Sequence, residues 1–320
     1  MTMELTAPFP YFGGKRRAAP MIWDALGDPG GYVEPFAGSA AVLLARPRMT
    51  GRRVETINDA DGWLVNAWRS IQLSPSDVAA HAHGPVTEID YHARLAWLQE
   101  RRTPDLVAWL EGDPEAHDAK AAAWWLYVCA CGIGDPWGPG PWRVVDEHLR
   151  DTHHLGNAGK GVNRELPHLG DAGKLDGYVH ALAMRLARVR ITCGDWQRVL
   201  KPSVIRATAG NSTIGVLLDP PYSTSGDLYA TTNTGQHQDI SAQVREWATD
   251  NGTNYRIVLC GFDDEHDELL GHGWRKEIGR AGGGAGYNTD GRAGRRERLW
   301  LSPSCVETAL ALDFTEEVSP

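Results

Sequence analysis

The sequence predicts an α/β fold: a largely parallel sheet whose order along the chain is interrupted by a long, mainly helical insertion. Two observations carry this. Short apolar runs that end in an acid or a small-residue turn alternate with segments of helical period at both ends of the chain. Between them, from about residue 75 to 178, helical period and glycine-spaced loops replace any strand alternation.

Taken in order, "GYVEPFAGSAAVLLAR" (31–46) reads as a strand over Tyr32, Val33 and Glu34, a small-residue turn, and a helix from about Ala40. "RRVETIND" (52–59) is a second strand ending in Asn58 and Asp59, followed by a helix with apolar residues at Trp63, Leu64, Ala67, Trp68 and Ile71. A strand, helix, strand, helix order starts a parallel sheet, whose ligands sit at the strands' C-terminal ends. After Ser74 and Pro75, residues 76–132 read as all-helical, then come "GIGDPWGPGPW" and a polar, glycine-spaced stretch. A helix near 178–188 restores the pattern. "VRITCGDW" is a strand ending at Gly194 and Asp195, "STIGVLLD" one ending at Asp219, and "YRIVLCGF" and "RLWLSP" two more, with a helix closed by Gly252 among them. The glycine-rich stretch 279–298 is expected to be a loop. The division is therefore 1–74 with 179–320 for the sheet domain and 75–178 for the insertion.

Composition narrows the class. With 42% hydrophobic and 23% charged residues and no long uncharged apolar run, the chain is expected to be soluble, and its first residues lack a signal-peptide pattern. The five cysteines are scattered and odd in number, which fits reduced thiols in the cytoplasm. Cys129 and Cys131 lack a second ligand pair, and His81 with His83 and His153 with His154 stand alone, so no metal site is expected. No dimerisation pattern stands out, and a monomer is expected. The net charge of −9 argues mildly against a nucleic-acid partner, but its distribution matters more. Bases cluster at 43–54, 184–206 and 275–298, while acids crowd 76–120 and the last residues, which allows a basic cleft on an acidic protein.

Two constellations carry chemistry. Gly38 lies in the turn after the first strand and Asp59 ends the second, 21 residues on. Small residues let a backbone approach a nucleoside cofactor, and an acid at that spacing accepts from ribose hydroxyls. The turn is not G-x-G-x-x-G and no base is placed there for a pyrophosphate, which favours a cofactor with ribose and adenine but no phosphates, such as S-adenosylmethionine. The second constellation is Asp219, Pro220, Pro221 and Tyr222. An exocyclic amine of adenine or cytosine is a poor nucleophile because its lone pair is delocalised into the ring. The Asp219 carboxylate and Pro220 carbonyl supply two acceptors for its N–H groups, the prolines offer no competing donor, and Tyr222 gives a stacking face. A duplex base must be flipped out to reach such a pocket.

Together these stretches resemble the Dam-type (D12 class) adenine-N6 DNA methyltransferases. "PFPYFGGK" (8–15) is similar to that family's N-terminal cofactor motif, "VEPFAGSAAVLL" (33–44) to its E-P-F-x-G-x-G motif, "NDADGWLVNAWR" to its second-strand acid motif, and "DPPY" (219–222) to its catalytic tetrapeptide. The resemblance implies a Rossmann-like S-adenosylmethionine-dependent sheet with an inserted target-recognition subdomain. It implies that Tyr11 and Lys15 border the methionine end of the cofactor, Tyr11 by a cation–π contact to the sulfonium. Glu34, Pro35, Phe36 and Gly38 would form the cofactor turn, Asp59 would hold the ribose, Asp195 would approach the adenine or amino-acid end, and Asp219 to Tyr222 would hold the base. Ala40 departs from the pattern, standing where the family has a glycine, so the cofactor is expected to shift slightly.

Double-stranded DNA is then the expected partner. The insertion holds Trp97, Trp109, Trp124, Trp125, Trp137 and Trp142. The first four, at helical spacing, are expected in the core; Trp137 and Trp142, in a Gly/Pro loop, are DNA candidates, as are Lys160, Asn163 and Arg164. Arg292, Arg295 and Arg296 could close over the DNA backbone. Cytosine-N4 methylation uses the same amine chemistry, and a non-catalytic DNA-binding regulator could keep the same fold; the intact tetrapeptide speaks against the latter.

Overall fold

The computed structural model describes residues 5–9, 15–47, 53–101, 105–113, 115–132, 142–145, 148–151, 168–209, 212–221, 240–279 and 296–307, with the backbone alone for 142–145, 148–151 and 208–209. Helix α1 (Ala19–Leu26) precedes β1 (Gly31–Glu34), and α2 (Ala41–Leu44) leads to β2 (Val54–Asp59). Helices α3 (Gly62–Leu73), α4 (Pro75–Ala82), α5 (Glu88–Arg101), α6 (Asp105–Gly112) and α7 (Ala119–Cys131) follow without an intervening strand. Then come β3 (Trp142–Val145), β4 (His148–Asp151), α8 (Ala172–Leu186), β5 (Val189–Cys193), α9 (Gln197–Leu200), α10 (Pro202–Ala209) and β6 (Ile214–Leu218). The last elements are α11 (Ile240–Asn251), β7 (Arg256–Phe262), a 3₁₀ turn (Asp267–His272), β8 (Arg275–Ile278) and β9 (Glu297–Leu301).

Local chemistry fixes several boundaries. Asp61, Asp118 and Asp171 cap α3, α7 and α8, their carboxylates accepting from the backbone N–H of Trp63, Ala121 and Lys174. Such caps satisfy otherwise orphaned donors and are each worth about 1 kcal/mol. The Asp171 cap starts α8 six residues before the position that apolar spacing alone predicts. A proline in the first turn opens α1 and α4.

The sheet has seven strands in the order β5-β2-β1-β6-β7-β9-β8. The pairs from β5 through β7 are parallel, and β9 runs antiparallel to both β7 and β8. From β1 the chain moves outward to β2 and later β5, then returns to the other side of β1 as β6. That reversal opens a crevice beyond the C-terminal ends of β1 and β6. The arrangement is a mixed α/β fold consistent with a Rossmann-like methyltransferase sheet.

Strand alternation sorts side chains onto two faces. Tyr32, Leu217, Val258, Cys260, Leu299 and Leu301 join one apolar cluster, with α1, α3, α4, α7 and α8. Val33, Val216, Leu218, Ile257, Leu259 and Trp300 join the other, with α9, α10 and α11. The helices of the 75–131 stretch therefore share a core with the sheet: α7 packs on α3, α4 and α5, and α8 packs on α3 and α4. Trp125 is buried edge-on against Phe9, with ring centroids 4.8 Å apart. Trp97 and Trp124 meet edge-to-face and are overlaid by Arg101 and Lys120. Trp109 departs from the expected core position; it is 46% exposed, because α6 buries only Leu110.

One further correction concerns the expectation that strands are missing from 76–178. The short antiparallel pair β3 and β4 lies there, with Val144 opposite Leu149. Four-residue strands are too brief to show a period against their Gly/Pro surroundings. Among the described residues, no helix is long and apolar enough to cross a membrane.

Candidate active site

The same alternation places Glu34, Asp219, Cys260 and Glu297 on one face, at the end of the sheet where the crevice opens. Glu34 follows Tyr32 by two residues, Asp219 follows Leu217, and Glu297 precedes Leu299; each of those neighbours belongs to the same cluster as Cys260. Because β9 is antiparallel, its first residue Glu297 lies opposite Phe262, the last of β7. Lys15 covers this group from the N-terminal segment. Its ammonium lies 2.9 Å from Asp219 Oδ1 and 3.6 Å from Glu297 Oε1, and its side chain is 3% exposed.

Burial sets the electrostatics. Glu34 is buried and accepts from the Tyr32 hydroxyl at 3.0 Å. Desolvation, with some help from the charge of Asp219, pushes its carboxyl up to about 8, so it carries a proton at neutral pH. Burial also raises Glu297, against the pull of Lys15, and raises the Cys260 thiol well above the ordinary range, which keeps it uncharged beneath the cluster.

Beside this group lies the turn after β1. Gly38 has φ +47, and its backbone N–H donates to Asp59 Oδ2 at 3.0 Å, while Asp59 Oδ1 accepts from Asp61 N at 3.0 Å. Burial raises the Asp59 carboxyl to about 6. Ala40, the departure noted in the sequence, adopts a left-handed conformation (φ 52, ψ 29) as the cap of α2, with its methyl fully buried. Phe36 leans on Trp196 with centroids 5.9 Å apart. Asp195 is exposed, and its carboxylate accepts from Gln197 N at 2.8 Å. Pro220 is buried and Pro221 half-buried next to Asp219.

Residues 11–85 match the family model for the D12 class N6 adenine-specific DNA methyltransferases. Over that stretch the chain is similar to the DNA adenine-N6 methyltransferases of that class. The match runs from the N-terminal motif through β1 and β2 to α4, and so takes in Glu34, Gly38 and Asp59. A search of curated proteins gives no match. Asp219 and Glu297 lie beyond the matched stretch, and it is the strand order of the sheet that brings them to it.

Of the expected site residues, Lys15, Glu34 and Asp219 meet in one cluster, and Pro35, Phe36, Gly38, Asp59 and Asp195 line the adjoining strand ends. Tyr11, Tyr222, Trp137, Lys160, Asn163, Arg164, Arg292 and Arg295 lie outside the described residues, as does most of the expected glycine-rich loop, and Trp142 is described by backbone alone. The Arg296 guanidinium pairs with Asp263 and lies over the Phe262 ring. Arg46 and Arg53, from the first basic cluster, pair with Glu55 and Asp28 at the opposite, N-terminal end of β1 and β2.

Three residues of the site escaped sequence reasoning. Asn58, buried, donates through Nδ2 to the carbonyls of Pro35 (3.1 Å) and Gly194 (2.9 Å) and accepts from the Thr192 hydroxyl (2.9 Å), so one amide ties the ends of β1, β2 and β5. Trp196, directly after Asp195, walls the turn. Glu297, inside the basic run "RRER", carried no signal of its own.

Proposed function

We propose that the protein is a DNA adenine-N6 methyltransferase that binds S-adenosylmethionine across the C-terminal ends of β1, β2 and β5 and presents a flipped-out adenine to it from the end of β6. The observation that carries this reading is the adjacency of the Glu34 and Asp219 strand ends at the point where the sheet order reverses. Ligands of open α/β sheets bind at such a point. The residues suit the cofactor: Phe36 and Trp196 offer an aromatic wall for adenine, and Asp59 has acceptor capacity for ribose hydroxyls beyond the backbone N–H groups it already holds.

When bound, S-adenosylmethionine supplies a methyl group activated by the sulfonium. The chain's part is to make the adenine amine able to attack it. Asp219 and the Pro220 carbonyl accept the two N–H bonds and draw the nitrogen toward tetrahedral geometry. Tyr222 stacks on the base, Tyr11 faces the sulfonium, and Asp219 can take the proton that the amine loses once the new N–C bond has formed. Pro220 and Pro221 lack N–H groups that would compete for these acceptors. The stretch 75–178, with Trp137, Trp142, Lys160, Asn163 and Arg164, reads the DNA, and Arg292, Arg295 and Arg296 hold its backbone. The enzyme acts as a cytoplasmic monomer on double-stranded DNA.

Incubating the protein with DNA and labelled S-adenosylmethionine, then identifying nucleosides by mass spectrometry, tests the reading. N6-methyladenine is expected from the parent protein and none from Asp219→Ala. N4-methylcytosine would move the chemistry to cytosine, and undiminished transfer by Asp219→Ala would remove Asp219 from the site.

A further inference from the structure

We propose that Glu297 is a positioning residue that takes over the Lys15 ammonium from Asp219 when the target adenine docks. The inference rests on the reading of Asp219 as an acceptor for the adenine amine. It starts from a conflict within the cluster. Lys15 Nζ lies 2.9 Å from Asp219 Oδ1, a charge-assisted hydrogen bond that takes up one of the two oxygens of the carboxylate from which the amine needs an acceptor. An ammonium drawn tightly onto a carboxylate also withdraws the electron density with which that carboxylate would accept the amine's N–H.

Lys15 cannot simply turn to water, because its side chain is 3% exposed and a buried charge needs a partner. A second carboxylate is within reach. Glu297 Oε1 is 3.6 Å from the same ammonium, inside ion-pair range but too far for a hydrogen bond. A shift of under about 1 Å would bring Lys15 to hydrogen-bonding distance of Glu297 while the ion pair persists throughout.

The backbone of Glu297 is suited to receive it. It opens β9 opposite Phe262, and its carbonyl accepts from Gly279 N at 3.1 Å, so both neighbouring strands fix its position. Its side chain is 16% exposed, which keeps water from competing for the ammonium. Glu34 is already engaged, accepting from the Tyr32 hydroxyl at Oε2 and from the Leu43 backbone. Lys15 is thereby a cation shared by two carboxylates, and only one of them is needed by the substrate.

The test compares Glu297→Gln and Glu297→Asp with the parent protein in single-turnover methylation at saturating DNA and cofactor. Equilibrium binding of S-adenosylmethionine by calorimetry and thermal melting are measured alongside. Glu297→Gln keeps the shape and removes the charge; its single-turnover rate is expected to fall at least tenfold, with cofactor affinity and DNA KM changed less than about threefold. Glu297→Asp restores a charge and is expected to recover a substantial part of the rate. A purely structural role would lower the melting temperature and cofactor affinity of both variants, with Glu297→Asp no better than Glu297→Gln. That pattern, or a parent-like rate in Glu297→Gln, overturns the proposal. Asp219→Ala in the same assay separates the two readings: activity there removes the acceptor role itself, whereas an inactive Asp219→Ala beside a fully active Glu297→Gln removes only the part given to Glu297.

Discussion

Replacing Asn58 by aspartate changes one atom type and almost no volume, yet it strikes the point where three strands are tied. The amide nitrogen donates to the buried carbonyl of Pro35 and the half-buried carbonyl of Gly194. Asn58→Asp puts an oxygen in its place, leaving both carbonyls without that donor and, when ionised, facing a negative charge. A buried acceptor that loses its partner costs about 1–3 kcal/mol, so two cost about 4 kcal/mol. At about 2–4 °C per kcal/mol for a large domain, the melting temperature should fall by about 8 °C or more. The loss should also depend on pH. The new carboxyl, buried against carbonyls, would have a folded pKa above its unfolded value of about 3.9. The folded variant then binds more protons than the unfolded chain, and stability is lost as pH rises through that window. Thermal melts of both proteins by circular dichroism from pH 5 to 8.5 read this directly as a widening gap. An unchanged melting temperature at pH 8 would refute the claim that this amide lashes the strand ends together.

Two other perturbations follow from the site. Glu34 is raised from its usual range to about 8, so the stability it contributes is complete below about pH 4.5 and disappears as pH climbs through 8; in denaturant titrations Glu34→Gln should gain about 2 kcal/mol on the parent between pH 6 and 8, and parallel curves would contradict the burial argument. At Ala40, glycine would relieve about 1–2 kcal/mol of left-handed strain, but it would lose a buried methyl worth about 0.8 kcal/mol and add about 0.4–1 kcal/mol of unfolded-state entropy. Ala40→Gly should therefore lie within about 1 kcal/mol of the parent by urea unfolding, and a loss above about 2 kcal/mol would mean that the buried methyl matters more than the strain.

Legibility in the sequence followed the range of the interaction. Glu34, Asp59 and Asp219 could be read because each ends an apolar run and opens a turn, a signal contained in a few adjacent residues. The partnership of Lys15 with Asp219 and Glu297 could not, since it is made by residues at opposite ends of the chain and depends on which strands are neighbours. Asn58 was visible as the residue before Asp59, but its partners on β5 are set by the parallel register that sets Asn58 opposite Thr192. The strand β8 was hidden by its composition, Arg275, Lys276 and Glu277, because edge strands tolerate charges that central ones exclude. The left-handed backbone at Ala40 had no local cue; alanine disfavours that region, and the surrounding turn imposes it.

The shared packing of α7 and α8 with the sheet bears on how far the chain between them can change. Both helices are anchored on α3 and α4, so Cys131 and Leu169 are fixed posts in one core. A segment strung between fixed posts pays a closure entropy that grows only logarithmically, about 0.6 kcal/mol for each doubling of its length. The chain between those posts can therefore be lengthened, shortened or exchanged at small cost to the folded core. Grafts cut inside 75–131 would instead sever the packing of α4, α5 and α7, which places the workable junctions just after α7 and just before α8.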